Sequence, residues 1–243
     1  MAEKSLSQRV ALITGANKGI GFETARQLGR QGITVLIGSR EKQRGQKAVD
    51  ALRAEGLDAR LVLLDVTSQA TIEQAVAQIQ REFGRLDILV NNAGILLERV
   101  SPADGEVENL RGTFETNVFG LFAVTKAFLP LLRKAPAGRI VNVSSALGSL
   151  STMTDPHRLE NKYLAYSASK AAVNMITIAL GRELAGTRIK VNAAAPGYTA
   201  TAMNNFSGTQ TVAEGAIASV RLATLPDDGP TAGFLDAKGT VAW

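Results

Sequence analysis

The sequence predicts an α/β fold, a doubly wound parallel sheet with helices on both faces, formed by residues 1–243 as a single domain. Three observations predict it. Short runs of Val, Ile and Leu recur without the apolar and polar alternation of a half-exposed strand, as strands buried on both faces require. Segments of helical periodicity separate these runs, and that alternation builds parallel pairs joined by right-handed crossovers. The polar clusters that interrupt the pattern fall at the carboxyl ends of the runs, the edge where such sheets bind ligands.

Taken in order, Arg9 to Gly15 is an apolar run closed by glycine, and Gly19 to Gln31 carries Ile20, Thr24, Ala25 and Leu28 at helical spacing. The run Ile33 to Gly38 completes a βαβ unit. A helix follows around Gln43 to Ala54, then a strand from Leu61 to Val66, a helix from Ile72 to Phe83 and a strand from Leu86 to Val90. The second half continues with a long helix from about Glu108 to Arg133, a strand from Arg139 to Ser144, a helix after Tyr166 and a strand from Ile189 to Ala194. The stretches near 146–165 and 198–230 read as substrate loops. The latter is rich in Gly, Thr, Ala and Asn, the composition of loops, short helices and a mobile lid.

Composition removes several kinds of chemistry. The absence of cysteine excludes disulfides, thiolate catalysis and cysteine metal sites. His157 is the only histidine, so imidazole metal clusters and a Ser-His-Asp triad lose their support, and no metal site is expected. The start, Met1 to Arg9, is polar and lacks the apolar centre of a signal peptide, and no apolar run reaches the roughly 18 residues of a membrane span. A cytoplasmic protein without membrane contact is expected. The net charge of +5 is modest and its cations are dispersed, which does not suggest nucleic-acid binding.

The first βα junction reads Thr14-Gly15-Ala16-Asn17-Lys18-Gly19-Ile20-Gly21. Gly15 can turn the chain with positive φ, Gly19 lets the backbone approach a pyrophosphate, and Gly21 permits close packing of helix on strand. The amides and dipole of the following helix then face the phosphates. The second strand ends at Ser39-Arg40, where an NAD site usually has an acidic residue. Arg40 and Lys18 together would favour a 2′-phosphate, unless both are simply exposed cations, and Glu41 keeps NAD possible.

Further polar clusters end the other strands: Asp65-Val66, Asn91-Asn92-Ala93-Gly94, Ser144-Ser145, and Pro196-Gly197-Tyr198-Thr199-Ala200-Thr201. Asn117 interrupts an apolar helix, where an amide side chain is unfavourable without a task. Bonding to a neighbouring strand and a catalytic water site are equally open. Tyr166 and Lys170 lie four residues apart, on one face of a helix. A fixed cation stabilises a phenolate, so the pair reads as a tuned proton donor and acceptor.

These motifs, in this order and at these spacings over nearly the whole chain, resemble the short-chain dehydrogenase/reductase family. Asn17-Lys18, Arg40 and the ending Gly233-Phe234-Leu235-Asp236 are similar to its NADPH-dependent carbonyl reductases. The resemblance implies a Rossmann-like domain that transfers a hydride from NADPH to a ketone or aldehyde. NAD(H) remains possible, as does oxidation of an alcohol or steroid by the reverse path.

The resemblance implies that Tyr166 donates the proton and that Lys170 holds the nicotinamide ribose and lowers the phenol's pKa. Ser145, rather than Ser144, would bind the substrate oxygen, and Asn117 would hold a water. Cofactor contacts would come from Gly15, Asn17, Lys18, Gly19, Ile20, Gly21, Arg40, Asp65, Val66, Asn91, Ala93, Gly94, Tyr166, Lys170, Pro196, Gly197, Thr199 and Thr201. The partner would be a small carbonyl or alcohol. Leu96, Leu147, Met153, Tyr198, Met203 and Phe206 are candidates for the pocket lining.

Twenty residues separate Ser145 from Tyr166, more than in common family members and fewer than in its monomeric carbonyl reductases. This insert, with Thr154 to Leu159, would sit at the substrate mouth beside a helix that many relatives use for dimerisation. Monomer and homo-oligomer therefore stay open, and His157 reads as a loop residue. A third reading, a dinucleotide sensor without turnover, has no need of Ser145, Tyr166 and Lys170 together.

Overall fold

A computed structural model describes residues 9–155 and 162–243, so His157 and its neighbours 156–161 in the insert lie outside the described residues. The apolar runs form β1 (Val10–Thr14), β2 (Thr34–Ser39), β3 (Ala59–Leu63), β4 (Ile88–Asn91), β5 (Arg139–Val143) and β6 (Lys190–Ala194), with β7 (Phe234–Leu235) added at one edge. They make a seven-stranded sheet in the order β3-β2-β1-β4-β5-β6-β7, every neighbouring pair parallel. The order reverses beside β1, so the carboxyl ends of β1 and β4 open a crevice. The helices are α1 (Gly19–Gly29), α2 (Lys42–Ala54), α3 (Gln69–Phe83), α4 (Val107–Phe114), α5 (Leu121–Leu132), α6 (Leu150–Met153), α7 (Leu164–Glu183) and α8 (Val212–Ala223).

Two layers of core follow from strand alternation. Ala11 and Ile13 of β1 join Leu28 of α1, Leu52 of α2 and Leu222 of α8 on one face. Val10 and Leu12 join Ile72 and Ile79 of α3 and Phe128 of α5 on the other. Leu12 and Phe128 are wholly buried, and removing each from water contributes roughly 1.5–3 kcal/mol. Among the described residues, no helix is long and apolar enough to cross a membrane.

Four elements differ from expectation. The third strand ends at Leu63 instead of Val66, because its only ladder partner, β2, stops at Ser39 opposite Leu63. The long helix from Glu108 is three pieces, with a π-helical segment, Glu115–Gly120, between α4 and α5. Such wide turns leave the regular hydrogen-bond ladder and recur at functional sites. The stretch 198–230 is not all loop and short helix, since Thr211 and Glu214 cap the twelve-residue α8, whose buried face joins α1 in the core. The edge strand β7 is two residues long, too short to leave a periodic trace.

Candidate active site

β5 and α7 build the centre of the site. Ser144 and Ser145 follow the last residue of β5, and alternation sends their side chains opposite ways. The Ser144 hydroxyl is 1% exposed and donates to Asn174 Oδ1 of α7 at 2.6 Å, a bond inside the fold. The Ser145 hydroxyl accepts from the Leu147 amide at 3.2 Å and is hydrogen-bonded to the Tyr166 phenol. The two hydroxyls thus meet different neighbours, Asn174 for Ser144 and Tyr166 for Ser145.

Tyr166 lies in the first turn of α7, and Lys170 comes one turn later. The Lys170 ammonium, 4% exposed, donates to the Val143 carbonyl at 2.7 Å. Burial brings the Lys170 ammonium down to about 8. Burial pushes the Tyr166 phenol up to about 12, against the Ser145 hydrogen bond, which acts to lower it. Desolvation of the phenolate is the largest influence here, and Ser145 supplies the lowering one. Like an ordinary phenol, Tyr166 is protonated at neutral pH.

Asn117 is turned inward by the π-helical segment and is 1% exposed. Its Oδ1 accepts from the Ile95 amide at 2.8 Å, and its Nδ2 donates to the Ile95 carbonyl at 3.0 Å and to Ser169 Oγ at 3.0 Å. The amide thus ties the segment after β4 to α7, using both Nδ2 protons and one lone pair of Oδ1. A Cβ on Gly94 would lie 3.3 Å from Asn117 Oδ1 and 3.6 Å from Lys170 Nζ, so the end of β4 lies against this cluster.

The glycine loop crosses the same edge. Gly15 and Gly19 have φ of 63° and 60°, values that disfavour side chains. A Cβ on Gly19 would meet only Thr201 Cγ2, at 3.8 Å, so its backbone is open to a ligand beneath the loop that follows β6. Lys18, the residue before α1, makes no side-chain cap, and the first amides of the helix are left to an anion. Gly21 has a different neighbour from the one expected: a Cβ there would strike the Asn92 side chain and lie 3.0 Å from the Gly15 carbonyl.

The sequence pattern of short chain dehydrogenases matches residues 9–211. The chain belongs to the short chain dehydrogenase family. It is 36% identical to carbonyl reductase 1 (NADPH) of Mus musculus, over 98% of this chain and 100% of that protein. Salutaridine reductase from Papaver somniferum superposes with a TM-score of 0.82 at 32% identity, covering 93% of this chain and 99% of that one. A gluconate 5-dehydrogenase from Burkholderia cenocepacia, solved with NADP and tartrate, gives 0.83 at 29% identity, with 94% and 92% covered.

In this short chain dehydrogenase the other expected contacts divide into open and occupied groups. Arg40 and Lys18 are exposed at the mouth of the crevice. Asn17, Lys18 and Phe22 face Arg44, Lys47 and Ala48 of α2 across a depression of about 500 Å³. Arg44 and Lys47, one helical turn apart, were missed as candidates; their spacing behind Arg40 was the available signal. Glu41 is 2.9 Å from Arg44 in an ion pair, which draws it away from a ribose role.

The Asn91 side chain is turned into the sheet. Its Nδ2 donates to Thr125 at 2.7 Å and to Asn142 Oδ1 at 2.9 Å, while its buried Oδ1 has no partner among the described residues. Asn92, also missed, is the working amide of that pair: its Nδ2 donates to the Thr14 carbonyl at 2.9 Å and clamps β4 to the glycine loop. Thr14 Oγ1 accepts from the Ala93 amide at 2.9 Å and fixes Ala93 against Gly15.

Asp65 Oδ1 accepts from the Thr67 amide at 3.0 Å and its hydroxyl at 2.8 Å, closing its own turn, while Val66 packs on Gly120. After β6, Pro196 leads into Gly197, which has φ of 79°. Thr199 is buried, with its hydroxyl donating to the Pro196 carbonyl at 3.3 Å. Thr201 is held by Asn204, whose Oδ1 accepts its amide at 3.1 Å. Of the candidate lining residues, Tyr198, Met203 and Phe206 are exposed, and Leu96, Leu147 and Met153 are half-buried. Arg99 reaches across from the segment after β4 and donates to the Met203 carbonyl at 2.7 Å, bridging the two loops over the crevice.

Proposed function

We propose that this protein is an NADPH-dependent reductase of ketones or aldehydes, with Tyr166 as the proton donor. The observation that carries the reading is the meeting of the Ser145 hydroxyl and the Tyr166 phenol beside the buried Lys170 ammonium, whose Nζ lies 5.5 Å from the centre of the Tyr166 ring. NADPH, when bound, supplies the hydride. Gly15, Gly19 and the amides of α1 would hold its pyrophosphate, and Lys18, Arg40, Arg44 and Lys47 would meet its 2′-phosphate. The NADPH named for the mouse relative and the NADP of the Burkholderia structure support that choice.

At the reacting centre, the substrate oxygen takes the place between the Ser145 and Tyr166 hydroxyls. As negative charge develops on it, Ser145 donates a hydrogen bond and Tyr166 transfers its proton. The Lys170 ammonium stabilises the phenolate left behind, a charge absent before the transfer.

The test is loss of NADPH absorbance with a panel of aldehydes, diketones, quinones and cyclic ketones, run beside Tyr166→Phe. Turnover in the wild type that is lost in the variant, with NADPH binding retained, is the expected result. Full activity of Tyr166→Phe refutes the donor assignment. NADPH binding without turnover of any carbonyl, or of any alcohol with NADP, turns the reading toward a sensor.

A further inference from the structure

We propose that Trp243 is a positioning residue for Ser145, acting through the short helix α6. The inference rests on the reading of Ser145 as the hydroxyl that receives the substrate oxygen. Trp243 lies far from Ser145 in sequence, and contacts of named atoms connect the two.

The chain reverses after β7 and returns along it. The Asp236 amide donates to the Gly239 carbonyl at 2.9 Å, and the Val241 amide donates to the Phe234 carbonyl at 2.8 Å. This return lays the Trp243 ring on the Phe234 ring, with centroids 5.3 Å apart and planes 24° from parallel. Phe234 is 1% exposed and packs with Ala193 and Ala195 at the end of β6, so the platform under Trp243 belongs to the sheet. A stacked pair of this kind contributes beyond its buried area.

From that platform the Trp243 carbonyl accepts the amide of Ser151 at 3.0 Å. Ser151 stands in the first turn of α6, where amides have no partner within the helix. The next such amide, that of Thr152, is taken by Ser149 Oγ at 3.0 Å. Trp243 therefore supplies from outside the helix one of the bonds that hold α6 in place.

What α6 holds is the turn that carries Ser145. Gly148 is pressed onto α7: a Cβ there would lie 2.6 Å from the Lys170 carbonyl carbon and 2.8 Å from the Ala171 nitrogen. The Gly148 amide donates back to the Ser145 carbonyl at 2.8 Å, and the Leu147 amide donates to Ser145 Oγ at 3.2 Å. The segment is thus pinned against α7 at Gly148 and against the sheet through Trp243 at Ser151. Releasing the second pin lets the turn pivot about Gly148, which moves the Leu147 amide and the Ser145 hydroxyl that it orients. Small displacements of this kind are costly to catalysis because the reacting atoms must meet in one geometry.

The experiment pairs kinetics with hydrogen exchange on the full chain. Trp243→Ala and Trp243→Phe are made in the wild type and in Ser145→Ala. Trp243→Ala is expected to lower kcat about tenfold with KM for NADPH unchanged, Trp243→Phe to restore most of the loss, and Trp243→Ala to cost nothing further in Ser145→Ala. Amide exchange across 147–153 should quicken in Trp243→Ala while that of β1 and β4 stays as it was.

An equal loss of kcat in both backgrounds, or unchanged exchange across 147–153, overturns the proposal. If the wild type reduces no carbonyl, the reductase reading fails, and the exchange comparison still decides whether Trp243 holds the Ser145 turn.

Discussion

The Lys170 ammonium lies 5.5 Å from the centre of the Tyr166 ring, one turn further along α7. The two groups are displaced by the same burial in opposite senses, the phenol up to about 12 and the ammonium down to about 8. Each is thereby biased toward its neutral form.

That relationship has a pH signature. Lys170 titrates at about 8 in the fold against 10.5 as the ordinary value. Below pH 8 both folded and unfolded chains carry the charge, and the fold bears the whole cost of burying it. Between pH 8 and 10.5 the unfolded chain binds more protons, so stability from this group rises with pH, and above that window the cost is gone. Lys170→Met should therefore be the more stable protein at pH 7, by at most roughly 3 kcal/mol, with the difference shrinking by pH 10. Urea unfolding of both proteins at several pH values measures it, and a difference that grows with pH contradicts the assignment. Carbonyl reduction by the wild type should fall as pH passes about 8, while Lys170→Met has no activity to lose.

The two adjacent serines should separate activity from stability. Ser145→Ala removes a hydroxyl that faces the reacting oxygen, and kcat should fall about a hundredfold or more with little change in unfolding. Ser144→Ala strands the buried Asn174 Oδ1, to which Ser144 donates at 2.6 Å. It should cost about 1–3 kcal/mol of stability while kcat falls far less. Steady-state kinetics and urea unfolding of the two variants decide between this and the reverse assignment.

Arg40→Ala should weaken NADPH roughly ten- to a hundredfold and NADH little, since only the former brings a 2′-phosphate to the guanidinium. Arg44→Ala frees Glu41, now 2.9 Å from Arg44, and should narrow the preference further. Titration of both dinucleotides by fluorescence checks it. Equal weakening of NADPH and NADH by Arg40→Ala would remove the 2′-phosphate role.

The doubly wound sheet was legible because each βαβ unit writes its own periodicity, and strands buried on both faces read as unbroken apolar runs. The adjacency of Tyr166 and Lys170 was legible because a helix brings residues four apart onto one face. Thr14 to Gly21 was legible because positive φ and close backbone approach demand glycine at Gly15 and Gly19, whatever the rest of the chain does.

Only the tertiary structure decided which side of each polar pair works. Ser144 and Ser145 have the same chemistry, and so have Asn91 and Asn92; the packing of α7 on β5, and of β4 beside β1, turns one of each pair into the core and the other to the crevice edge. The same holds for Tyr166, whose spacing to Lys170 argued for a lowered pKa. How far a phenol is desolvated depends on neighbours distant in sequence, and here burial is the largest influence on it. The stacking of Trp243 on Phe234 left no mark in the sequence, because it depends on where the segment returning from β7 is laid down. Local geometry is written in the order of residues, whereas burial and the direction of a buried hydrogen bond arise only when distant segments meet.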